Sequence, residues 1–303
     1  MTPETGPRDP EELETAGAPV SAEISSATTV GPVHLTVSDL ERSVDYYQHA
    51  VGLEVLEHGV GRASLGAGGF ELVGLVEEPA ARPARRFTGL YHLALLLPRR
   101  RELAGWLAHA ARDRVPLVGL SDHFVSEALY LSDPDQHGIE IYWDRPREHW
   151  EGQVARRMTT LPLDVDNLLG ELDDPAGMPF DGLPAGTVMG HVHLKVADVP
   201  DAVGFYRDGL GFGLMAMLGR EAGFLAAGGY HHHVGVNSWE MAGAGAPPPG
   251  AAALRKATIV VPDAPERDRA LDRLAALGHD HHDDGSDPVV LDPSGNALAL
   301  SVG

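Results

Sequence analysis

Apolar and polar residues alternate from position 33 to 37, the pattern of a strand with one face packed and the other polar. SDLE at residues 38–41 reads as a helix-opening capping box. Apolar residues at helical spacing then run through Val44 and Tyr47 to a stop at Gly52. LEVLE, RASLG and FELVGLV follow as short strand candidates, and GAGG at residues 66–69 as a hairpin turn. The pattern then restarts with a strand at YHLALLLP, a helix from about residue 99 to 113, and strands near 128–131 and 139–143. Each unit is a strand, a helix, and two or three more strands.

The whole arrangement occurs twice. GPVHLTVSDLERSVDYYQHAVGLEVLE from Gly31 lines up with GHVHLKVADVPDAVGFYRDGLGFGLMA from Gly190, pairing His34 with His193, Asp39 with Asp198, Tyr47 with Tyr206 and Gly52 with Gly211. GAGGFELVGL from Gly66 meets AAGGYHHHVGV from Ala226, and LSDPDQHGIEI from Leu131 meets LDPSGNALAL from Leu291. The expected organisation is a polar, disordered tail over 1–29, a metal-binding domain over 30–145, a linker over 146–187 containing DDPAGMPFDGLPAG, and a degenerate second domain over 188–303.

Length and charge narrow the picture. A chain of 303 residues has room for two cores. With 23 Lys plus Arg against 44 Asp plus Glu, the net charge of −21 argues against nucleic acid or an anionic membrane as partner. There is no cysteine, so thiolate catalysis, disulfides and Cys-ligated zinc are excluded. No apolar run approaches the length of a membrane span, and the opening segment lacks the order of a signal peptide, which makes the cytoplasm the expected compartment. The arginines at 82–86 and at 99–101 are explained by a connection and an exposed helix start.

Candidate chemistry sits on the strands. His34, His92 and Glu140 each stand between apolar neighbours on a strand, which puts them on its other face. Glu140, between Ile139 and Ile141, needs a partner or a cation to offset its desolvation.

GPVHLTVSDLERSVDYY, SDHFVSEALYLSDPDQHGIEIYWDRPREHW, DGLPAGTVMGHVHLKVADV and GGYHHHVGVN together resemble the vicinal oxygen chelate superfamily of glyoxalases, bleomycin resistance proteins and extradiol dioxygenases. Within it they are most similar to the two-domain catechol-2,3-dioxygenase type. The resemblance spans nearly everything from Gly31 to Val302. It implies an α+β fold of tandem βαβββ units, two paired-module domains each forming a cup-shaped mixed sheet with helices outside. It also implies a metal held by His34, His92 and Glu140, a facial triad suited to iron(II), with manganese(II) as alternative. Tyr130 matches a tyrosine that hydrogen-bonds a substrate oxygen, and His123 an active-site histidine giving acid–base assistance. The implied reaction is ring cleavage of a small catechol-like substrate with dioxygen; a homo-oligomer is compatible with it.

One element of the resemblance is missing. Where many extradiol enzymes carry a further histidine, this chain has Phe70, Glu71 and Leu72. The second half has Lys256 opposite His92 and Ala299 opposite Glu140, so it has no complete triad of its own. His193, His231, His232 and His233 are read there as structural or pocket-supporting, and His279, His281 and His282 beside Asp283 and Asp284 as a solvated turn. Two rivals keep the fold. One is a glyoxalase-like isomerase with nickel(II) or zinc(II) and Glu71 as a fourth ligand; the other is a non-catalytic protein that binds aromatic drugs.

Overall fold

The computed structural model of the chain describes residues 23–239, 241–283, 285 and 287–303. Most of the expected tail lies outside the described residues, but its end is packed. The Glu23 and Ile24 amides donate to the Gly211 carbonyl at 2.8 and 2.9 Å, and Ile24 is buried.

Four modules follow one another. The first comprises β1 (Thr29–Val37), α1 (Leu40–Tyr46), β2 (Glu54–Gly59), β3 (Arg62–Ala67) and β4 (Phe70–Glu77); the second β5 (Gly89–Leu96), α2 (Arg100–Asp113), β6 (Gly119–Asp122), β7 (Ser126–Ser132) and β8 (Gly138–Asp144). The third is built of β10 (Val188–Lys195), α5 (Val199–Gly204), β11 (Gly213–Leu218), β12 (Ala222–Ala226) and β13 (Val234–Asn237). The fourth has β14 (Leu254–Val261), α6 (Ala264–Ala276), β15 (His281–Asp283), β16 (Pro288–Leu291) and β17 (Ala297–Val302). The α+β fold of repeated βαβββ units expected from the sequence is thus present.

Local signals explain the elements. Asp39, rather than Ser38, caps α1 by accepting from the Arg42 amide at 3.0 Å, which frees the Ser38 hydroxyl to donate to Asp135 at 2.6 Å. The helix ends in a π-helical turn, Tyr47–Val51, and stops at Gly52, whose φ of 97° only glycine adopts at little cost. In α2 the residues Leu103, Trp106, Leu107 and Ala110 are buried at helical spacing. Leu93, Leu95, Ile139 and Ile141 on β5 and β8 join the same core. Each such aliphatic side chain contributes about 1.5–3 kcal/mol on burial.

The modules pair across the two halves, not within them. One sheet has the order β15-β16-β17-β14-β1-β4-β3-β2 and joins modules one and four. The other, β11-β12-β13-β10-β5-β8-β7-β6-β9, with β9 spanning Leu161–Pro162, joins modules two and three. Within each module the first strand runs parallel to the last, which leaves the first strand's other edge to be satisfied by a partner module. For β5 that partner is β10, antiparallel, with His193 opposite His92. Each cup therefore takes one module from each half.

The segment expected as a linker is structured. It carries α3 (Val154–Arg157), α4 (Val165–Leu169) and β9 (Leu161–Pro162), which adds to the second sheet beside β6. Trp150 is buried within it, and Phe180 stacks on His109 of α2 at 3.9 Å. Among the described residues no helix is long and apolar enough to cross a membrane.

Candidate metal centre

Pairing β5 with β10 decides which side chains meet. Ala94 lies opposite both Glu140 on β8 and His191 on β10, and Tyr130 on β7 lies opposite Glu140. Residues in register across a sheet share a face, so Glu140, His191 and Tyr130 project the same way, and His92, two residues before Ala94, joins them. The opposite faces of these strands carry the aliphatic core. Gly138 is required beside His92, because a Cβ there would stand 2.1 Å from the Tyr91 carbonyl oxygen and 3.1 Å from the His92 Cβ.

The His92 Nε2 lies 2.9 Å and the His191 Nε2 3.1 Å from the same Glu140 oxygen, and the two nitrogens are 3.3 Å apart. All three residues are buried, with His191 1% and Glu140 2% exposed. Burial by itself raises the Glu140 carboxyl; the charges and hydrogen bonds of His191 and His92 outweigh it and hold the group well below the usual carboxylate range. Burial pushes the His191 imidazole down, against the pull of Glu140.

Two imidazole nitrogens directed at one carboxylate oxygen must each donate an N–H, and at 3.3 Å those hydrogens then confront each other. A divalent cation bound by two lone pairs and the carboxylate removes that conflict. The donor set of two imidazoles and one carboxylate suits a facial site with open positions. Among the described residues this is the one group of three or more potential ligands within mutual reach.

His92 and Glu140 are brought together as the sequence suggested; His34 is not. It stands on β1 in the other sheet, its Nε2 3.5 Å from Glu71, with Lys256 opposite it in register. The third member of the group is His191, which aligns with Pro32 in the duplicated pattern and so escaped a comparison that matched His34 to His193. Glu71, the fourth ligand in the isomerase alternative, remains with His34, away from Glu140.

The group opens on a cavity of about 330 Å³. His123 and Tyr130 line it, joined at 2.7 Å between Nε2 and the phenol oxygen. The His123 Nδ1 is 2.9 Å from the Thr159 carbonyl, which only accepts, so Nδ1 carries the proton and the phenol donates to Nε2. Burial lowers the His123 imidazole and keeps it neutral. Its turn is pinned: the Asp122 carboxylate accepts from the Phe124 amide at 2.8 Å and is held by Arg145 at 2.7 and 2.9 Å. The supposed linker thus supplies the Thr159 contact that orients His123.

The histidines of the second half surround this cavity. His193 and His232 line it, both pushed well below the imidazole range, chiefly by burial. His231, His232 and His233 precede β13 in a non-strand segment, while His281 and His282 lie on the exposed strand β15; Asp284 is outside the described residues.

Burial pushes His233 down to about 3, helped by His231 and His191, and its Nδ1 accepts from the Ala227 amide at 3.1 Å. A folded value below the unfolded value near 6.5 means that the unfolded chain takes up a proton the fold refuses. Stability is therefore undiminished above about pH 6.5 and is lost as pH falls, by about 2 kcal/mol between 6.5 and 5 from this residue. Urea unfolding at pH 7 and pH 5 should show this loss in the native chain and a smaller one in His233→Gln. Equal losses in both would contradict the assignment.

Comparison with known proteins agrees with this architecture. The description "Glyoxalase/Bleomycin resistance protein/Dioxygenase superfamily" matches residues 29–141 and 188–300. A Bacillus subtilis (strain 168) protein named catechol-2,3-dioxygenase is 40% identical over 287 residues, covering 92% of this chain and 99% of the relative. A solved structure of a putative dioxygenase from Bacillus subtilis subsp. subtilis str. 168 superposes with a TM-score of 0.60 at 12% identity, over 90% of this chain and 84% of that one. Glyoxalase I from Zea mays gives 0.55 at 14% identity, over 90% and 92%. At these identities the two structures speak for the fold alone. Matched in both halves, the chain belongs to the glyoxalase/bleomycin resistance protein/dioxygenase superfamily.

Proposed function

We propose that the chain is an extradiol dioxygenase that opens a catechol-like ring with dioxygen, using iron(II) held by His92, His191 and Glu140. The observation that carries this reading is the convergence of two imidazoles and one carboxylate at the base of a cavity whose wall bears the His123–Tyr130 pair. The similarity to a named catechol-2,3-dioxygenase supports it.

Bound iron(II) supplies a place where a diol and dioxygen meet with open coordination positions. The chain's own residues do the rest. The carboxylate of Glu140 holds negative charge in a dry site. Tyr130 donates to the His123 Nε2 at the wall, so the phenol oxygen is the atom of the pair that accepts from a substrate hydroxyl, with His123 behind it to take the phenol proton. Val125, Met158, Leu218, Phe224 and Trp239 exclude water around the ring.

That lining includes no Lys or Arg among the described residues, so a carboxylate on the ring would be buried without a partner. Such burial costs several kcal/mol. 4-Methylcatechol is expected to exceed 3,4-dihydroxybenzoate by about 100-fold or more in kcat/KM. Comparable values for the two would contradict this account of the cavity.

The function is tested by anaerobic loading with iron(II) and a screen of substituted catechols. Oxygen uptake matched by a yellow ring-opened product is the expected result. No uptake with any catechol, together with turnover of a methylglyoxal–thiol adduct by nickel- or zinc-loaded protein, would sink the proposal.

A further inference from the structure

A chain of hydrogen bonds runs from the end of β8 to the cavity wall. Asp144 shares a face of β8 with Tyr142 and Glu140, two and four residues before it. One Asp144 oxygen lies 2.8 Å from the His231 Nε2, and the other accepts from the Tyr230 hydroxyl at 2.6 Å. Tyr230 is in turn 2.9 Å from the Tyr142 hydroxyl. The His231 Nδ1 is 2.8 Å from the His232 Nδ1. His231 is fully buried and His232 is 8% exposed. The His232 ring borders the cavity, and its Nε2 has no hydrogen-bond partner among the described residues.

Donor and acceptor roles follow from the fixed end. A carboxylate only accepts, so the His231 Nε2 carries a proton. In a neutral ring its Nδ1 is then a lone pair, which obliges the His232 Nδ1 to donate and leaves the His232 Nε2 as a lone pair facing the cavity. The alternation is set at Asp144 and read out two rings away. The Tyr230 hydroxyl, itself bonded to the Tyr142 hydroxyl, holds the other carboxylate oxygen, so Asp144 cannot rotate without losing contacts on both sides.

We infer that Asp144, acting through His231, is a positioning residue that fixes the tautomer of His232 and presents its Nε2 as a hydrogen-bond acceptor to whatever occupies the cavity. In the native chain a substrate hydroxyl meets an acceptor; with the opposite tautomer it would meet an N–H. The consequence for turnover rests on the dioxygenase reading; the tautomer does not.

Nitrogen-15 NMR of histidine-labelled, chelator-treated full-length chain reads the tautomer directly, with no reaction involved. His232 is expected to be protonated on Nδ1 in the native chain and in Asp144→Asn, whose amide oxygen still accepts from His231. In Asp144→Leu and His231→Phe the proton should move to Nε2. A merely structural role for Asp144 would lower stability in these variants without switching the tautomer. In iron(II)-loaded protein, Asp144→Leu should lose about 100-fold in kcat against 4-methylcatechol with KM within about threefold, and Asp144→Asn should recover most of it. A native His232 protonated on Nε2, or an Nδ1 proton retained in Asp144→Leu, overturns the inference, and the native spectrum alone decides if the leucine variant does not fold. A native chain with the expected tautomer but no turnover of any catechol leaves this assignment standing and removes the dioxygenase reading.

Discussion

His191→Ala removes stoichiometric metal binding and, with it, ring-cleaving turnover, whereas His34→Ala leaves the bound metal in place. The reasoning is geometric. The His191 Nε2 is 3.1 Å from the Glu140 oxygen and 3.3 Å from the His92 Nε2, so its loss leaves two donors where a tightly held divalent ion needs at least three from the protein. Removing an outer-shell partner costs about 10–100-fold in metal affinity, and removing a direct donor should cost more than that upper figure. His34, 3.5 Å from Glu71 in the other sheet, has no part in the group. Metal content of the purified, desalted variants measured by mass spectrometry separates the two. Metal retained by His191→Ala and lost by His34→Ala would reverse the assignment.

The second large effect concerns the pair at the cavity wall. Tyr130→Phe and His123→Gln are each expected to lower kcat by about 10²–10³ while leaving metal content as in the native chain, because a positioned proton donor or acceptor contributes that order of rate. The two act through one hydrogen bond of 2.7 Å, so the double variant should be little worse than the more damaged single one. Steady-state kinetics with saturating dioxygen, scored beside metal analysis, checks this. Values of kcat within threefold of native in both single variants would take the pair out of the reaction.

Much of the architecture was legible because it is local. Alternation at Val33–Val37 and around His92 and Glu140, the stop at Gly52 and the duplicated motifs all depend on residues near one another in sequence, and the elements they imply are present. His34 and His92 occupy equivalent first strands with equivalent parity, so nothing local distinguishes a site built from modules one and two from one built from two and three. That choice is made by which strand edges meet, β5 with β10 and β1 with β14. Edge pairing is a long-range event and local pattern does not encode it.

A signal for His191 was nevertheless there. HVH at residues 191–193 places two histidines on one strand face, and only one of them has a counterpart in the first half. The unmatched one is the residue that stands with Glu140. The packed connection was missed for a related reason. Its Gly and Pro content reads as a linker, while Trp150 and the Thr159 carbonyl gain their roles only by contact with residues distant in sequence, Trp150 in the cluster with Val125, Ala216 and Phe224 and Thr159 with His123. Phe70–Leu72 carry no histidine, whereas on the other cup His232 lines the cavity, its ring centroid 4.1 Å from that of His191.

The central claim is that one divalent ion sits where modules two and three meet. Anomalous diffraction at the iron edge from crystals grown anaerobically with iron(II) tests it most directly. The account predicts one strong peak within bonding distance of the His92 and His191 Nε2 atoms and a Glu140 oxygen. A peak beside His34 and Glu71, or none at the His92–Glu140–His191 group in iron-loaded crystals, would contradict it.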